Sequence, residues 1–328
     1  MPPVFPKSFG LLHQNELIVK DWRLGAVSGA DKRVLRSDGQ YLEFLPRVEY
    51  QSGVYLDTMA CVTFSALNCL EIIVKVHGGE IDKSDRFTAR MSGTTRKGNL
   101  MRSVAESIRT NDGTVEEASW PFPRMQRQPV FDWDDYYKLP DPSVIMEGKR
   151  WLVDWQVQWE WVTATEEKLK EALTYGPVQV CVYAWPKPKD GVYDDGGNKD
   201  RNHAVTLVGY EEGKHWWIFD HYDAALKKLV WNYDFQWAIR FVLTKKHPQN
   251  NFTPMPTIVL QDDVLVQETE VSGQFGLHLN GRILLGDEGK LLATWLMRNK
   301  GVVDGRCVPM KKSDWDSFPK FDLKNNPL

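Results

Sequence analysis

DTMACVTFSALNCLEIIVKV, residues 57–76, decides the fold. Val62, Ala66, Cys69, Ile73 and Val76 recur at helical spacing, and Leu67, Leu70 and Val74 form a second row beside them. Apolar side chains nearly all round the axis mark a helix buried at the centre of a domain rather than lying on its surface. Asp57 or Thr58 is placed to cap its start, and Gly78-Gly79 to stop it. Cys61 then falls in the first turn, where unpaired backbone N–H groups and the helix dipole favour a thiolate.

Working outward, Leu100, Val104 and Ile108 place a second helix at about 99–110, closed by the Asn111-Asp112-Gly113 turn. Thr163 and Glu166 stand at capping-box spacing ahead of a third, EEKLKEALTYG, stopped by Gly176 and Pro177. Beyond Pro177 the period changes to two. Val178, Val180 and Val182 share one face of a strand, and Gln179, Cys181 and Tyr183 the other. Further strands are expected at about 203–210, 215–219, 226–232 and 237–244. A helix-rich half followed by a strand-rich half is an α+β order, with a cleft where the two meet. WLVDWQVQWEWV (151–162) reads by its alternation as a strand whose tryptophans pack a core, in preference to a ligand-stacking platform. HPQNNFTPMPT (247–257) reads as a linker. Residues 258–328 follow as a small unit with short strands and one helix near 289–299.

The chain has 328 residues, a formal net charge of −3 and 26% charged residues. This balance argues against a basic nucleic-acid binder and against an acidic tail. The first thirty residues interleave Pro, Gly and charges, without the apolar stretch of a signal peptide or membrane span, so a soluble cytoplasmic product is expected. Of the four cysteines, Cys61 and Cys69 lie about 12 Å apart along one helix at ~1.5 Å rise per residue, too far to pair. With no CxxC and no Cys/His cluster of zinc spacing, a structural metal site is not expected.

Cys61 and His203 are 142 positions apart, so only the fold can join them. His203 opens a strand after the loop DGVYDDGGNKDRN, from which an imidazole can lean across a cleft to a helix N-terminus as partner of a thiolate. A lone cysteine on an apolar helix is as a rule a small core residue, and Cys69 fits that description. Position alone therefore does not make Cys61 a nucleophile.

Several segments in order along about residues 21–244 resemble the papain-like cysteine peptidase family. DWRLGAV (21–27) is similar to the mature start of such enzymes, and VEYQSG (48–53) with TMACVTFSALN (58–68) to their glutamine and nucleophile segment. GNLMRSVAESIRTNDGTVEEASWPF (98–122), GPVQVCV (176–182), GVYDD (191–195) and NHAVTLVGY (202–210) resemble the second helix, a strand, a loop and the histidine segment. The resemblance implies a papain-like two-subdomain α+β fold over 21–246, after an N-terminal extension (1–20) and before the linker and C-terminal unit.

It also implies roles. Cys61 would be the nucleophile, His203 its base, and Asp220 of HWWIFDHYD would orient His203, with Tyr222 replacing a shielding tryptophan. His221 is the competing alignment for the third position. Gln51 would donate to the oxyanion, although it precedes Cys61 by ten positions where the family has six, so four residues must loop out. Gly98, Asn99 and Asn202 would line the substrate cleft, Asn99 adding a side chain where the family has glycine. The implied activity is hydrolysis of peptide bonds in a peptide or protein substrate, with no metal or organic cofactor and no nucleic-acid or membrane partner. The unit at 258–328 is left as a place for a protein partner. Two rivals use the same residues: a transglutaminase or cell-wall amidase, and an inactive papain fold serving as a structural component, for example of a virus particle.

Overall fold

The computed structural model describes residues 10–12, 21–24, 30–51, 57–122, 133–197, 200–222 and 225–246, and the backbone of five strands between 265 and 322. The chain divides into two compact units, Met1–Gln249 and Asn250–Leu328.

In the first unit the central helix α1 runs Cys61–Val76, and every residue from Cys61 to Val74 is buried. It starts later than the apolar pattern suggests, and neither Asp57 nor Thr58 caps it. Ala60 holds the N-cap position without a side-chain bond. Asp57 Oδ1 accepts from the Met59 N–H at 2.8 Å instead. Met59 has φ 56°, a left-handed conformation that costs an L residue about 1–2 kcal/mol, so the chain turns sharply there and helical geometry begins only beyond it. At the far end Gly78, with φ 77°, and the Gly79 N–H to Val74 O bond of 3.0 Å close the helix.

Around α1 the helical half adds α2 (Asp85–Met91), α3 (Met101–Glu106) continued by a π turn (Ser107–Asn111), α4 (Trp133–Tyr136) and α5 (Pro142–Asp154). The tryptophan-rich run is therefore not all strand, since Trp151–Asp154 finish α5. The strand β1 is Trp155–Val162. After it come α6 (Glu166–Tyr175), β2 (Val178–Val182), β3 (Val192–Tyr193), β4 (His203–Glu211), β5 (His215–Phe219), β6 (Leu226–Val230) and β7 (Ala238–Lys245). Helix α6 is capped by Thr165, which accepts from Lys168 N–H, and not by Thr163. The sheet order is β1-β7-β2-β4-β5-β6-β3, antiparallel except between β3 and β6.

Alternation along β2 explains how the two halves meet. Val178, Val180 and Val182 enter a core with Leu169, Leu173 and Trp216, whereas Cys181 joins α1. Gln179 also faces α1, its Nε2 donating to Val62 O at 2.7 Å and Ser65 Oγ at 2.8 Å. On β4, Thr206, opposite Gln179, donates to Ser65 O at 3.1 Å. A fully buried ion pair, Arg240 to Glu160 at 2.7 Å, joins β7 to β1, and Glu160 also accepts the Ala30 N–H at 2.9 Å.

The second unit contains β8 (Leu265–Glu268), β9 (Phe275–Leu279), β10 (Arg282–Leu285), β11 (Val308–Met310) and β12 (Lys320–Asp322) in the order β11-β8-β9-β10-β12. The expected linker at 247–257, the helix near 289–299 and Cys307 lie outside the described residues. Among the described residues no helix is long and apolar enough to cross a membrane.

Buried carboxyls set the pH response of the helical half. Burial pushes Glu71 and Asp85 well up and Glu117 to about 8. Such a group keeps its proton in the fold when the unfolded chain, near 4.5, has released it. Its stabilising contribution is present below that value and lost as pH rises through the folded one. Between about pH 7 and 8 the denaturation midpoint is therefore expected to fall, and Glu117→Gln should flatten that fall, as read by urea titration at each pH.

Candidate active site

Cys61 is the first residue of α1 and fully buried. Its thiol meets the backbone N–H of Ala204 on β4, next to His203. His203, paired with Val182 across β2 and β4, carries its Nε2 to Asp220 Oδ1 at 2.6 Å. Asp220 follows directly on β5, and its Oδ2 accepts from Trp185 Nε1 at 2.9 Å and Lys227 Nζ at 2.7 Å. The rings of Tyr222 and Trp185 stand edge-on to His203, with centroids 5.1 and 5.9 Å away. His221 points elsewhere, into Phe64 at 4.9 Å. Burial pushes it down to about 3, so it is neutral across the physiological range.

Burial alone would raise the Asp220 carboxyl. The charge and hydrogen bond of His203, with Lys227 behind, outweigh it and hold Asp220 below the usual carboxylate range. For Cys61 the balance runs the other way. Burial pushes the thiol up, Asp57 and Asp220 push in the same direction, and the backbone bonds from Ala204 and Val62 oppose them. With the thiol raised in this way, a thiolate here would need an imidazolium beside it.

Gln51 is fully buried, and its Nε2 donates to Tyr222 Oη at 2.8 Å and Asp57 Oδ1 at 3.1 Å. The Tyr222 hydroxyl donates to the other oxygen of Asp57. Gln51 thus reaches the neighbourhood of Cys61 inside a hydrogen-bonded set, with its carbonyl accepting from Thr58 N–H and Oγ1.

Gly98, Asn99 and Asn202 come together on one edge. The Asn99 side chain is turned away from that edge, against expectation: Nδ2 donates to Ser92 and Thr94, and Oδ1 accepts from Leu100 N–H. Its backbone faces the chain's own residues 10–12. Asn99 N–H donates to Gly10 O at 2.9 Å, Leu12 N–H to Asn99 O at 2.9 Å and Leu11 N–H to Asn202 O at 3.3 Å. This approach requires glycine on both sides. A Cβ on Gly98 would meet Gly10 O at 1.9 Å, and one on Gly10 would meet Met59 O at 2.3 Å.

A model of the papain family cysteine proteases matches residues 57–222, half of the chain and all of the constellation from Asp57 to Tyr222. The chain belongs to that family. Cathepsin S of Bos taurus is 29% identical over 180 residues, covering 48% of this papain-family chain and 48% of its own. The chain thus spans about half the length of that curated relative. Among solved structures it is similar to the proform of Amb a 11, a ragweed pollen cysteine protease, at 18% identity and TM-score 0.49, covering 62% of this chain and 65% of that one. It is also similar to procathepsin L2 of Tenebrio molitor larval midgut, at 16% identity and TM-score 0.48, covering 72% and 78%. Papain-family membership agrees with the α+β order read from the sequence.

Three residues of this papain-family site were not singled out by sequence reasoning. Lys227 had a signal, because in LKKLV it is in phase with buried Leu229 while Lys228 is in phase with the outward positions. Trp185 follows β2 at no readable spacing, and Asp57 was taken only for a helix cap. Since its charge pushes the Cys61 thiol up, Asp57→Asn is expected to raise Cys61 alkylation by iodoacetamide at pH 7 about three- to tenfold. An unchanged rate in the folded variant contradicts this electrostatic assignment.

Proposed function

We propose that the chain is a cysteine peptidase that hydrolyses peptide bonds through Cys61 and His203. One observation supports this above the others: the imidazole fixed by Asp220 at 2.6 Å is next in sequence to the residue whose backbone meets the Cys61 thiol. With Nε2 committed to Asp220, Nδ1 is the nitrogen that takes the thiol proton. The thiolate attacks the scissile carbonyl carbon, and the resulting oxyanion accepts from the Cys61 backbone N–H and from the Gln51 amide once one of its two N–H groups leaves Asp57 or Tyr222. Collapse expels the amine, which takes the proton from the imidazolium and leaves a thioester on Cys61. Water then gives a proton to His203 as its oxygen attacks the thioester; the acid departs and the thiol is restored.

An extended substrate is recognised through its backbone at Asn99 and Asn202, the groups that bind Gly10–Leu12. No metal enters this scheme, and among the described residues no group of three or more His, Cys, Asp or Glu is placed to hold one. The whole protein's substrate is a peptide or protein.

The test is hydrolysis of fluorogenic peptides together with labelling by a thiol-directed epoxide. Cys61 is expected to react at least a hundredfold faster than the equally buried Cys181, and Cys61→Ala should abolish turnover. Equal labelling of the two cysteines would sink the peptidase reading. Gly10→Val, which clashes with Met59 without altering Asn99, is expected to lower KM for peptides about threefold or more with kcat retained. An unchanged KM would mean that residues 10–12 do not compete with substrate.

A further inference from the structure

Behind the His203 and Asp220 pair lies a third charge. Lys227 is 3% exposed, on the inward phase of β6. Its Nζ donates to Asp220 Oδ2 at 2.7 Å and to Tyr222 O at 2.6 Å, and it stands 5.2 Å from the Trp185 ring centroid. An apolar residue of similar length would fill this position without the desolvation cost of a buried ammonium, which amounts to several kcal/mol per ion. Packing alone does not call for a lysine here.

We infer that Lys227 is a positioning residue of the site: it neutralises Asp220, so that the carboxylate orients the His203 ring without binding the imidazolium proton too tightly. The inference rests on the peptidase reading above. Two titratable groups bond Asp220 directly, His203 on β4 and Lys227 on β6, while neighbouring His221 turns its ring to Phe64. Cys61 on α1, Tyr222 and Asp57 lie in the same electrostatic environment. His221 is neutral, so Lys227 is the cation that answers Asp220 whenever His203 has given up its proton. An opposite charge within about 4–6 Å typically moves a titration by 1–3 units. Left alone, Asp220 would both retain the proton that the leaving amine must receive and repel a thiolate on Cys61. With Lys227 in place, the third member keeps the two-oxygen geometry of a carboxylate while the pair behind His203 carries no net charge.

The experiment compares wild type, Lys227→Met, Asp220→Asn and the double variant. It records the pH profile of kcat/KM on a peptide and of Cys61 alkylation by iodoacetate, an anion whose reaction senses the imidazolium. Lys227→Met is expected to move the alkaline limb of both profiles up by about one pH unit, with kcat near neutrality about tenfold lower and KM within about twofold. Asp220→Asn, which leaves the ammonium uncompensated, should move the limb down by a similar amount. The double variant should return it to the wild-type position, a reversal that a merely structural role does not produce. The inference is overturned if the limb of folded Lys227→Met stays in place, or if the double variant keeps the shift of the single one. Should Lys227→Met fail to fold, an unmoved limb in Asp220→Asn overturns it equally. Wild type that alkylates with an alkaline limb but cleaves no peptide defeats the peptidase reading while the limb still reports on Lys227. Absence of any limb in wild type defeats both.

Discussion

The docking of the first turns of α1 on the face of β2 and β4 holds the rest of the structure in place. Gln179 reaches from the sheet to Val62 O and Ser65 Oγ, Thr206 reaches Ser65 O, and Ser65 Oγ itself donates to Cys61 O at 2.7 Å. These bonds are buried, and leaving one of their partners unmade costs about 1–3 kcal/mol. They also fix a distance. Because Gln179 and Thr206 are cross-strand partners two residues along from the Cys181 and Ala204 pair, and so on the same face, the register that seats the helix also seats Ala204 against the Cys61 thiol. A one-residue slip of β4 would turn Thr206 away from α1 and replace Ala204 with a bulkier neighbour.

Electrostatically the site is a row of alternating signs enclosed in protein. Imidazole, carboxylate and ammonium follow one another from β4 to β6, beside Trp185 and Tyr222. Low dielectric strengthens each neighbouring attraction and penalises any member left alone. The arrangement explains why Asp220 is held ionised although burial opposes it. The Cys61 thiol, by contrast, is pushed up by burial and by Asp57 and Asp220.

How far the sequence discloses this depends on the kind of signal each residue leaves. Helix α1 is legible because its burial is written all round its axis. Its first residue is not, because the turn that delays it lies in the φ of Met59, and periodicity carries no trace of backbone strain. Helix α5 merges into β1 inside one tryptophan-rich run without a breaking residue, so a change of period at Asp154 reads as continuous alternation. Short α2 carries Asp85 and Arg86 on buried positions, which blurs its apolar face. Cys61, His203 and Asp220 stand out only through resemblance, since single residues so far apart have no spacing to read. Lys227 was visible as a charge in an inward position of a strand, whereas the pairing of Leu11 with Asn99 was not, because a one-residue bridge has no period.

That bridge carries a kinetic consequence. A competitor in free solution weakens as it is diluted, but residues 10–12 are joined to the edge they occupy by their own polypeptide. Their local concentration is set by tether length, of millimolar order for a short flexible connection, and is the same in a crowded compartment as in a dilute assay. Under the proposed peptidase function, incoming chains would face a fixed handicap, which weakly binding peptides would not overcome at ordinary levels and multivalent or tightly held ones would. Severing the tether, rather than lowering the protein concentration, is what would remove it.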